Sequence, residues 1–446
     1  MQVSFKRKVN LNGVQILSLG FLTLIIIGAI ILSLPISSQS GEATNFLDSI
    51  FTSTSAVCVT GLTTLDTSTH WSMFGQTVIM ILIEIGGLGF MSFTVLISLI
   101  LGKKITLRKR LLMQEALNTF SIQGLVRLVK YVLILTVSVQ FFGALLLSTQ
   151  FVPEYGLYKG LFYCIFHSVS AFCNAGFDLF GTSLLDYSSN NVVILVVSAL
   201  IIIGGLGFTV LLEIYEFKGI KKLSLHSKLV IITTITLIVG GTLLMFIFEY
   251  KNPDTLLNMS IKDKFLNSFF AAVSPRTAGF FSVPTDNMTL AGKFFTIILM
   301  LVGGSPGSTA GGLKTVTCGI LVLTVISVIR GREDVEVFGR RFTKELVYKA
   351  FTIVFIGIFS VIGVTMILSY TEVGATFVDL LYESSSAFAT VGLTLGLTPK
   401  LSSIGKILII LMMYMGRVGP LTVMLALTKK HKKSGYKYPE GKILIG

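Results

Sequence analysis

The sequence predicts an all-α polytopic membrane protein, built from four parallel helix–pore-loop–helix repeats in a quasi-fourfold arrangement around one pore. Three observations carry that expectation. Over 446 residues, 52% are hydrophobic and only 13% charged, with a mean hydropathy of +0.83; soluble domains carry roughly 25% charged residues. Eight apolar runs, near 14–34, 73–101, 126–150, 192–216, 229–249, 292–329, 346–370 and 403–428, are long enough to cross a bilayer. Between them lie four glycine turns, Cys58-Val59-Thr60-Gly61, Cys173-Asn174-Ala175-Gly176, Arg276-Thr277-Ala278-Gly279 and Ala389-Thr390-Val391-Gly392, whose glycines are 115, 103 and 113 residues apart.

The run Val14–Leu34 follows Lys6, Arg7 and Lys8. It is longer than a typical signal-peptide core and lacks a small-residue cleavage site, so it reads as the first span. Each connection after an odd-numbered span holds a short stretch too apolar for water and too short to span. Phe51, Phe166, Phe269 and Tyr382 stand seven residues before the four turns, with serines such as Ser53, Ser55, Ser168, Ser170, Ser384 and Ser386 following in three of them. Such stretches re-enter the membrane as short helices sheltered by protein, each ending in a turn that needs glycine's conformational freedom.

A second glycine cluster follows each turn at a matched distance: Gly86, Gly204, Gly303 and Gly416 lie 25, 28, 24 and 24 residues after the turn glycines. The recurrence of both clusters defines one unit used four times. The repeats are 1–125, 126–225, 226–345 and 346–428, followed by a cytoplasmic tail, 429–446. All run in the same sense, unlike the inverted repeats of many alternating-access transporters. The N-terminus, the loops after the even-numbered spans and the C-terminal tail hold 26 of the 36 basic residues, so the positive-inside rule makes them cytoplasmic. The net charge of +14 is thereby explained by a surface facing anionic membrane lipid, with no nucleic acid as partner.

No turn carries a ring of carboxylates, so backbone carbonyls are left to replace a cation's water shell. One glycine per repeat implies one well-defined ion site at Gly61, Gly176, Gly279 and Gly392, flanked by Thr60, Asn174, Thr277 and Thr390. Arg276, which opens the third turn, is expected to bond backbone carbonyls. In the third repeat, helix propensity collapses over 303–314, marking a broken helix that must face protein or a water-filled cavity; it reads as a gate formed by Gly303, Gly304, Ser305, Gly307, Ser308, Gly311, Gly312 and Lys314. Arg417 lies at similar depth in the fourth repeat as a latch, and Glu84, in the neighbouring first repeat, is expected to pair with it directly or through water. The segment Gly307–Thr315 mimics a phosphate-binding loop with one surplus residue, but no strand pattern precedes it, so no nucleotide is expected on this chain. The four cysteines form no CxxC pair and the four histidines are scattered; with no acid–base pair within a span, an enzyme is not expected. No span carries the regular arginine spacing of a voltage sensor.

These residues resemble the Trk/Ktr/HKT superfamily of potassium transporters across essentially the whole chain. The motifs that carry the resemblance are CVTGL, CNAGF, RTAGF and TVGLT at the turns, GGLGF twice, GGSPGSTAGGLKT and GRVGP. The length, the short N-terminus and GLTP (Gly396–Pro399) look most like the membrane subunits of bacterial Ktr systems. The resemblance implies K+ uptake across the plasma membrane, with K+ coordinated at the four turn glycines and gating by 303–314 with Arg417. It also implies a homodimer with one pore per subunit and a cytosolic ring of RCK-type, nucleotide-binding regulatory subunits; independently of the resemblance, the apolar end of the tail, Tyr438–Gly446, reads as a segment that docks, with the second subunit as its expected surface. Members with serine at the first turn glycine favour Na+; here it is Gly61. A Na+-coupled or less selective cation transporter of the same fold is the alternative.

Overall fold

The computed structural model describes residues 13–89, 125–217, 219 and 222–427. The basic N-terminus, most of the loop after the second span and the C-terminal tail lie outside them.

The first repeat comprises α1 (Gly13–Leu32), α2 (Phe46–Cys58) and α3 (Met73–Leu88). The second comprises α4 (Leu125–Tyr155), α5 (Leu157–Cys173), α6 (Asn191–Gly205) and α7 (Phe208–Tyr215). The third comprises α8 (Leu225–Glu249), α9 (Ile261–Val273), α10 (Leu290–Leu301) and α11 (Thr315–Ile329). A small antiparallel hairpin, β1 (Glu336–Val337) and β2 (Arg340–Arg341), leads to the fourth repeat: α12 (Lys344–Thr371), α13 (Phe377–Ala389), α14 (Ser403–Val418) and α15 (Pro420–Leu427).

The first helices, α1, α4, α8 and α12, are the four described helices long and apolar enough to cross a membrane unbroken. On α12, Phe351, Phe355, Phe359, Ile362 and Met366 are exposed at helical spacing, an apolar stripe suited to lipid. The short helices α2, α5, α9 and α13 are sheltered inside: Phe51, Phe166, Phe270 and Tyr382 are fully buried. Phe269, read from the sequence as the third of these anchors, is half-buried beside Phe270.

The second helix of each repeat starts on a side-chain cap. Ser72, Thr289 and Ser402 accept from the backbone N–H of Gly75, Gly292 and Gly405, and Asn190 accepts from Val192 and Val193. Buried carboxylates fasten two of these starts to the preceding helix. Glu249 accepts from the N–H and hydroxyl of Thr289 at 2.9 and 2.7 Å; Glu372 does the same for Ser402 at 3.0 and 2.6 Å. A negative group at a helix N-terminus is favourably placed against the exposed N–H groups there.

The sequence reading placed one helix break, in the third repeat. The structure interrupts the second helix in the second and fourth repeats as well: α6 and α7 meet at 102° around Gly207, and α14 gives way to α15 at Gly419. In the first repeat α3 stops at Gly89, after which the chain leaves the described residues. The glycines at these stops, Gly89, Gly207 and Gly419, have φ of 82°, 90° and 97°, a conformation that ends a right-handed helix.

A ring of four glycine turns and the loop packed against it

Each turn opens on a left-handed residue: Val59 (φ 58°), Asn174 (59°), Thr277 (76°) and Thr390 (51°). The glycine two positions later is left-handed again, at 95°, 68°, 79° and 94° for Gly61, Gly176, Gly279 and Gly392. The intervening residues, Thr60, Ala175, Ala278 and Val391, are not. Holding a non-glycine residue in the left-handed conformation costs about 1–2 kcal/mol. The predicted flanking residues therefore fall out of register by one: Asn174, Thr277 and Thr390 open their turns, whereas Thr60 takes the middle place and Val59 is the true counterpart.

The turns close on one another in order. A Cβ added to Gly61 would stand 2.5 Å from the Ala175 carbonyl oxygen, and one on Gly176 would stand 2.7 Å from that of Ala278. One on Gly279 would strike the Val391 carbonyl, and one on Gly392 that of Thr60. Every contact is to the residue before the next repeat's glycine, and the fourth returns to the first. The ring order is thus one, two, three, four, with the first and fourth repeats adjacent. An ion pair between Lys406 on α14 and Asp48 on α2, 2.7 Å, ties that same seam.

Serines on the short helices brace the turns. Ser55 and Ser386 accept from the N–H of Gly61 and Gly392, both at 3.0 Å. Ser170 donates to the Phe177 carbonyl at 2.7 Å, and Ser274 donates to that of Phe280. In the third turn the brace is one residue late because Pro275 intervenes: α9 ends at Val273, and a turn carries the chain on to Thr277. The α2, α5 and α13 helices end at the ring, so the negative ends of their dipoles lie beside it. Such an arrangement offers main-chain oxygen and partial negative charge to a cation.

The segment 303–314 lies against this assembly. It folds back on itself through Gly303 N–H to Leu313 (2.8 Å) and Thr315 N–H to Gly304 (3.0 Å). It is also stitched to the bend of the second repeat. Ser305 donates from its hydroxyl to Gly205 (2.8 Å) and Leu206 (2.7 Å), and Thr309 donates to Phe172 (3.1 Å) and Gly204 (3.0 Å). On its other side a Cβ on Gly311 would collide with the Thr390 side chain, and one on Gly312 would meet Ala389 at 3.0 Å. Ser308 and Lys314 serve the loop itself: Ser308 donates to Ser305 at 2.7 Å and the Lys314 ammonium donates to Ala310 at 2.6 Å. The loop carbonyl of Gly307 accepts from Phe208 at 2.9 Å.

Arg417 bridges this loop to the first repeat, donating to the carbonyls of Thr309 and Gly86 and, at 3.1 Å, to that of Gly87. Glu84 forms no ion pair with it. The Glu84 carboxylate instead accepts from Gln140 on α4 at 2.8 Å and from the Cys173 thiol at 3.3 Å. The expected direct pairing is thus corrected: carbonyls, already aimed at the arginine, satisfy it. Arg276 likewise departs from its expected bonding to backbone carbonyls. It reaches the Thr234 hydroxyl on α8 at 3.4 Å.

Sequence reading missed Thr309, Gln140 and Cys173 as partners. Nothing in their local pattern announces them, since each is defined by a residue about a hundred positions away or more, or by another repeat. The serine braces were legible, because Ser55, Ser170 and Ser386 all lie six residues before their glycines.

Fold and site together define a polytopic membrane protein whose four repeats bring their glycine turns together in one ring. The profile of the TrkH family, described as cation transport protein, matches residues 11–437, and the chain belongs to that family. It is 46% identical over 443 residues, 98% of both chains, to the potassium/sodium uptake protein NtpJ of Enterococcus hirae. To the Ktr system potassium uptake protein B of Bacillus subtilis it is 44% identical over 439 residues, 97% of this chain and 96% of the other. Its fold is similar to the crystal structure of the potassium transporter TrkH from Vibrio parahaemolyticus, with a TM-score of 0.74 at 20% identity, covering 95% of this chain and 86% of that one. The matched proteins are ion transporters, and this chain is a multi-pass membrane transporter rather than an enzyme.

Proposed function

We propose that the protein takes up K+ across the plasma membrane through a single site of main-chain oxygens at Gly61, Gly176, Gly279 and Gly392. The observation that carries this reading is the closed cycle of glycine-to-carbonyl contacts. It leaves no room for side chains and gathers backbone oxygen where a dehydrated cation could be held. The loop 303–314 and Arg417 act as the gate, because hydrogen bonds tie the loop to α5 and the α6 end, and through Arg417 to α3, and a shift of the loop would release them. The names of the relatives, uptake proteins for potassium, support the choice of ion.

Both termini lie in the cytoplasm by the positive-inside rule. Lys228 sits 6.0 Å from the Phe338 ring, and this proximity of the start of α8 to the β-hairpin supports that assignment. A homodimer under control of a cytosolic, nucleotide-binding RCK-type ring is the assembly we infer from the resemblance to Ktr systems. A second reading, Na+-coupled or less selective cation uptake, is favoured by the potassium/sodium uptake activity in the name of the Enterococcus relative.

Growth of a bacterium lacking its own K+ uptake systems, on limiting K+, tests the proposal. Expression of this chain with a candidate regulatory subunit restores growth, and Na+ titration separates the two readings. Protein inserted in the membrane that restores no growth at any K+ concentration would overturn it.

A further inference from the structure

Nine residues before the turn glycines, the four short helices carry Thr52, His167, Phe270 and Glu383. All four are buried, but they do different things. His167 holds the outgoing strand of the second turn. Its Nδ1 lies 2.7 Å from the Tyr163 carbonyl and its Nε2 lies 3.2 Å from the Leu179 N–H. A carbonyl only accepts and an N–H only donates, so the ring is the neutral Nδ1–H tautomer with Nε2 as acceptor. Phe180 stacks on the imidazole at 4.2 Å and Phe151 meets it edge-on at 5.7 Å, so the ring has no freedom to swing away.

Glu383 does the same for the fourth turn. It accepts from the hydroxyls of Thr394, at 2.7 Å, and Thr398. Thr394 in turn accepts from the N–H of Gly396 (3.1 Å) and Leu397 (3.3 Å) and has its carbonyl held by Thr285 of the third repeat at 2.8 Å. At the same register, Phe270 has no polar side-chain atom and the Thr52 hydroxyl is buried without a partner. The second and fourth turns stand across the ring from each other.

We propose that His167 and Glu383 are positioning residues that brace the ring along this one diagonal and thereby set its discrimination between K+ and Na+. The inference rests on the ring being the cation site. A site that excludes the smaller ion must resist contraction; the two clamps fix the strands leaving Gly176 and Gly392, while the strands leaving Gly61 and Gly279 lack a clamp at this register.

The test compares the full-length protein with variants in uptake assays for K+ and Na+, after each variant's membrane level has been measured. His167→Leu and Glu383→Leu are expected to raise the KM for K+ and lower the K+-over-Na+ preference by about tenfold, the worth of one or two buried hydrogen bonds. The acceptor-retaining His167→Gln and Glu383→Gln restore preference to within about twofold. Thr52→Val and Phe270→Leu, at the same register in the unclamped repeats, leave it unchanged. If the leucine variants fail to accumulate, Thr394→Val and Thr398→Val carry the same expectation from the loop side. A K+-over-Na+ preference equal to wild type in the accumulating clamp variants, or an equal loss in Thr52→Val and Phe270→Leu, overturns the proposal. A wild-type protein that takes up no K+ would instead sink the cation-site reading itself, before any variant is compared.

Discussion

The second helices of repeats one, two and four treat their glycine clusters differently from that of repeat three. A Cβ on Gly86, Gly204 or Gly416 would collide with the carbonyl of Val57, Phe172 or Phe388, in each case four residues before the turn glycine. In these repeats the helix is pressed against the end of the short helix that bears the turn. The corresponding residue of the third repeat is Pro275, and Gly303 does not face it. Gly303 faces Gly311 and Leu313 of its own loop instead, with Thr277 as its neighbour from the turn. Three repeats thus fasten the ring by close packing, whereas the third meets it with a segment held by hydrogen bonds. Close-packed contacts have little tolerance for displacement; hydrogen bonds can be exchanged for others, including with water. The difference puts the mobile part of the proposed mechanism in the loop of the third repeat and the close-packed support of the shared ring in the other three.

The sharpest way to break this comparison is at the ring, which all four repeats share. Gly279→Ser adds a side chain against the Val391 carbonyl at φ 79°, and the K+ concentration needed for growth rescue is expected to rise by about a hundredfold or more, since strain and overpacking each cost about 1–3 kcal/mol. Gly219, also left-handed at φ 111° but with nothing within 4 Å, serves as the control; Gly219→Ser retains growth. Equal effects would remove the special status of the ring.

Next in size is stability. Gly204→Ala and Gly416→Ala force a methyl onto a helix-end carbonyl, and thermal unfolding of the purified protein should register a loss of about 1–3 kcal/mol each. Gly303→Ala, whose new methyl would meet Gly311 at 2.5 Å inside a loop able to shift, is expected to lose less than half as much while changing uptake more. A larger stability loss at Gly303 would show the loop to be as rigid as the helices.

What the sequence reveals and what it hides follow the same division. Glycine positions recur because backbone proximity admits no other residue, so the four turns and the second clusters can be read by spacing alone, while the order of the ring is seen only in the contacts between turns. The breaks at Gly207 and Gly419 lie inside the clusters GGLGF and GRVGP, and spacing marks such a cluster without telling whether the helix only packs closely there or ends. Thr60 flanks its glycine one residue out of register with Asn174, Thr277 and Thr390, an offset that counting back from the four glycines shows. The partners of Arg417 were hidden for another reason: they are carbonyls, which every residue possesses, so no residue type signals them.

Arg417 offers a test of the loop side of the comparison. Arg417→Gln removes the charge-assisted bonds to Thr309 and Gly86, each worth about 1.5–3 kcal/mol. If those bonds hold the loop closed, uptake in the absence of any regulatory subunit should rise by about tenfold. Unchanged or lower uptake, in protein at wild-type membrane levels, would make the arginine a structural staple rather than a latch.

Glu84 should show the smallest effect, and it tells whether latch and carboxylate act together. In Glu84→Gln the amide oxygen can still accept from Gln140 and Cys173, so the packing of α3 against α4 and α5 is kept and only the charge is lost. Arg417 meets Gly86 and Gly87 through their carbonyls and has no bond to Glu84, so uptake and its dependence on pH are expected to stay within about twofold of wild type. Glu84→Leu differs, because it strands the Gln140 amide, and should lower stability by about 1–3 kcal/mol without opening the transporter. A Glu84→Gln variant that raised uptake as far as Arg417→Gln would mean that the carboxylate's charge reaches the arginine across two residues of α3. The first repeat would then belong with the third as a working part of the gate, and the division between packed and hydrogen-bonded repeats would no longer separate the fixed from the moving.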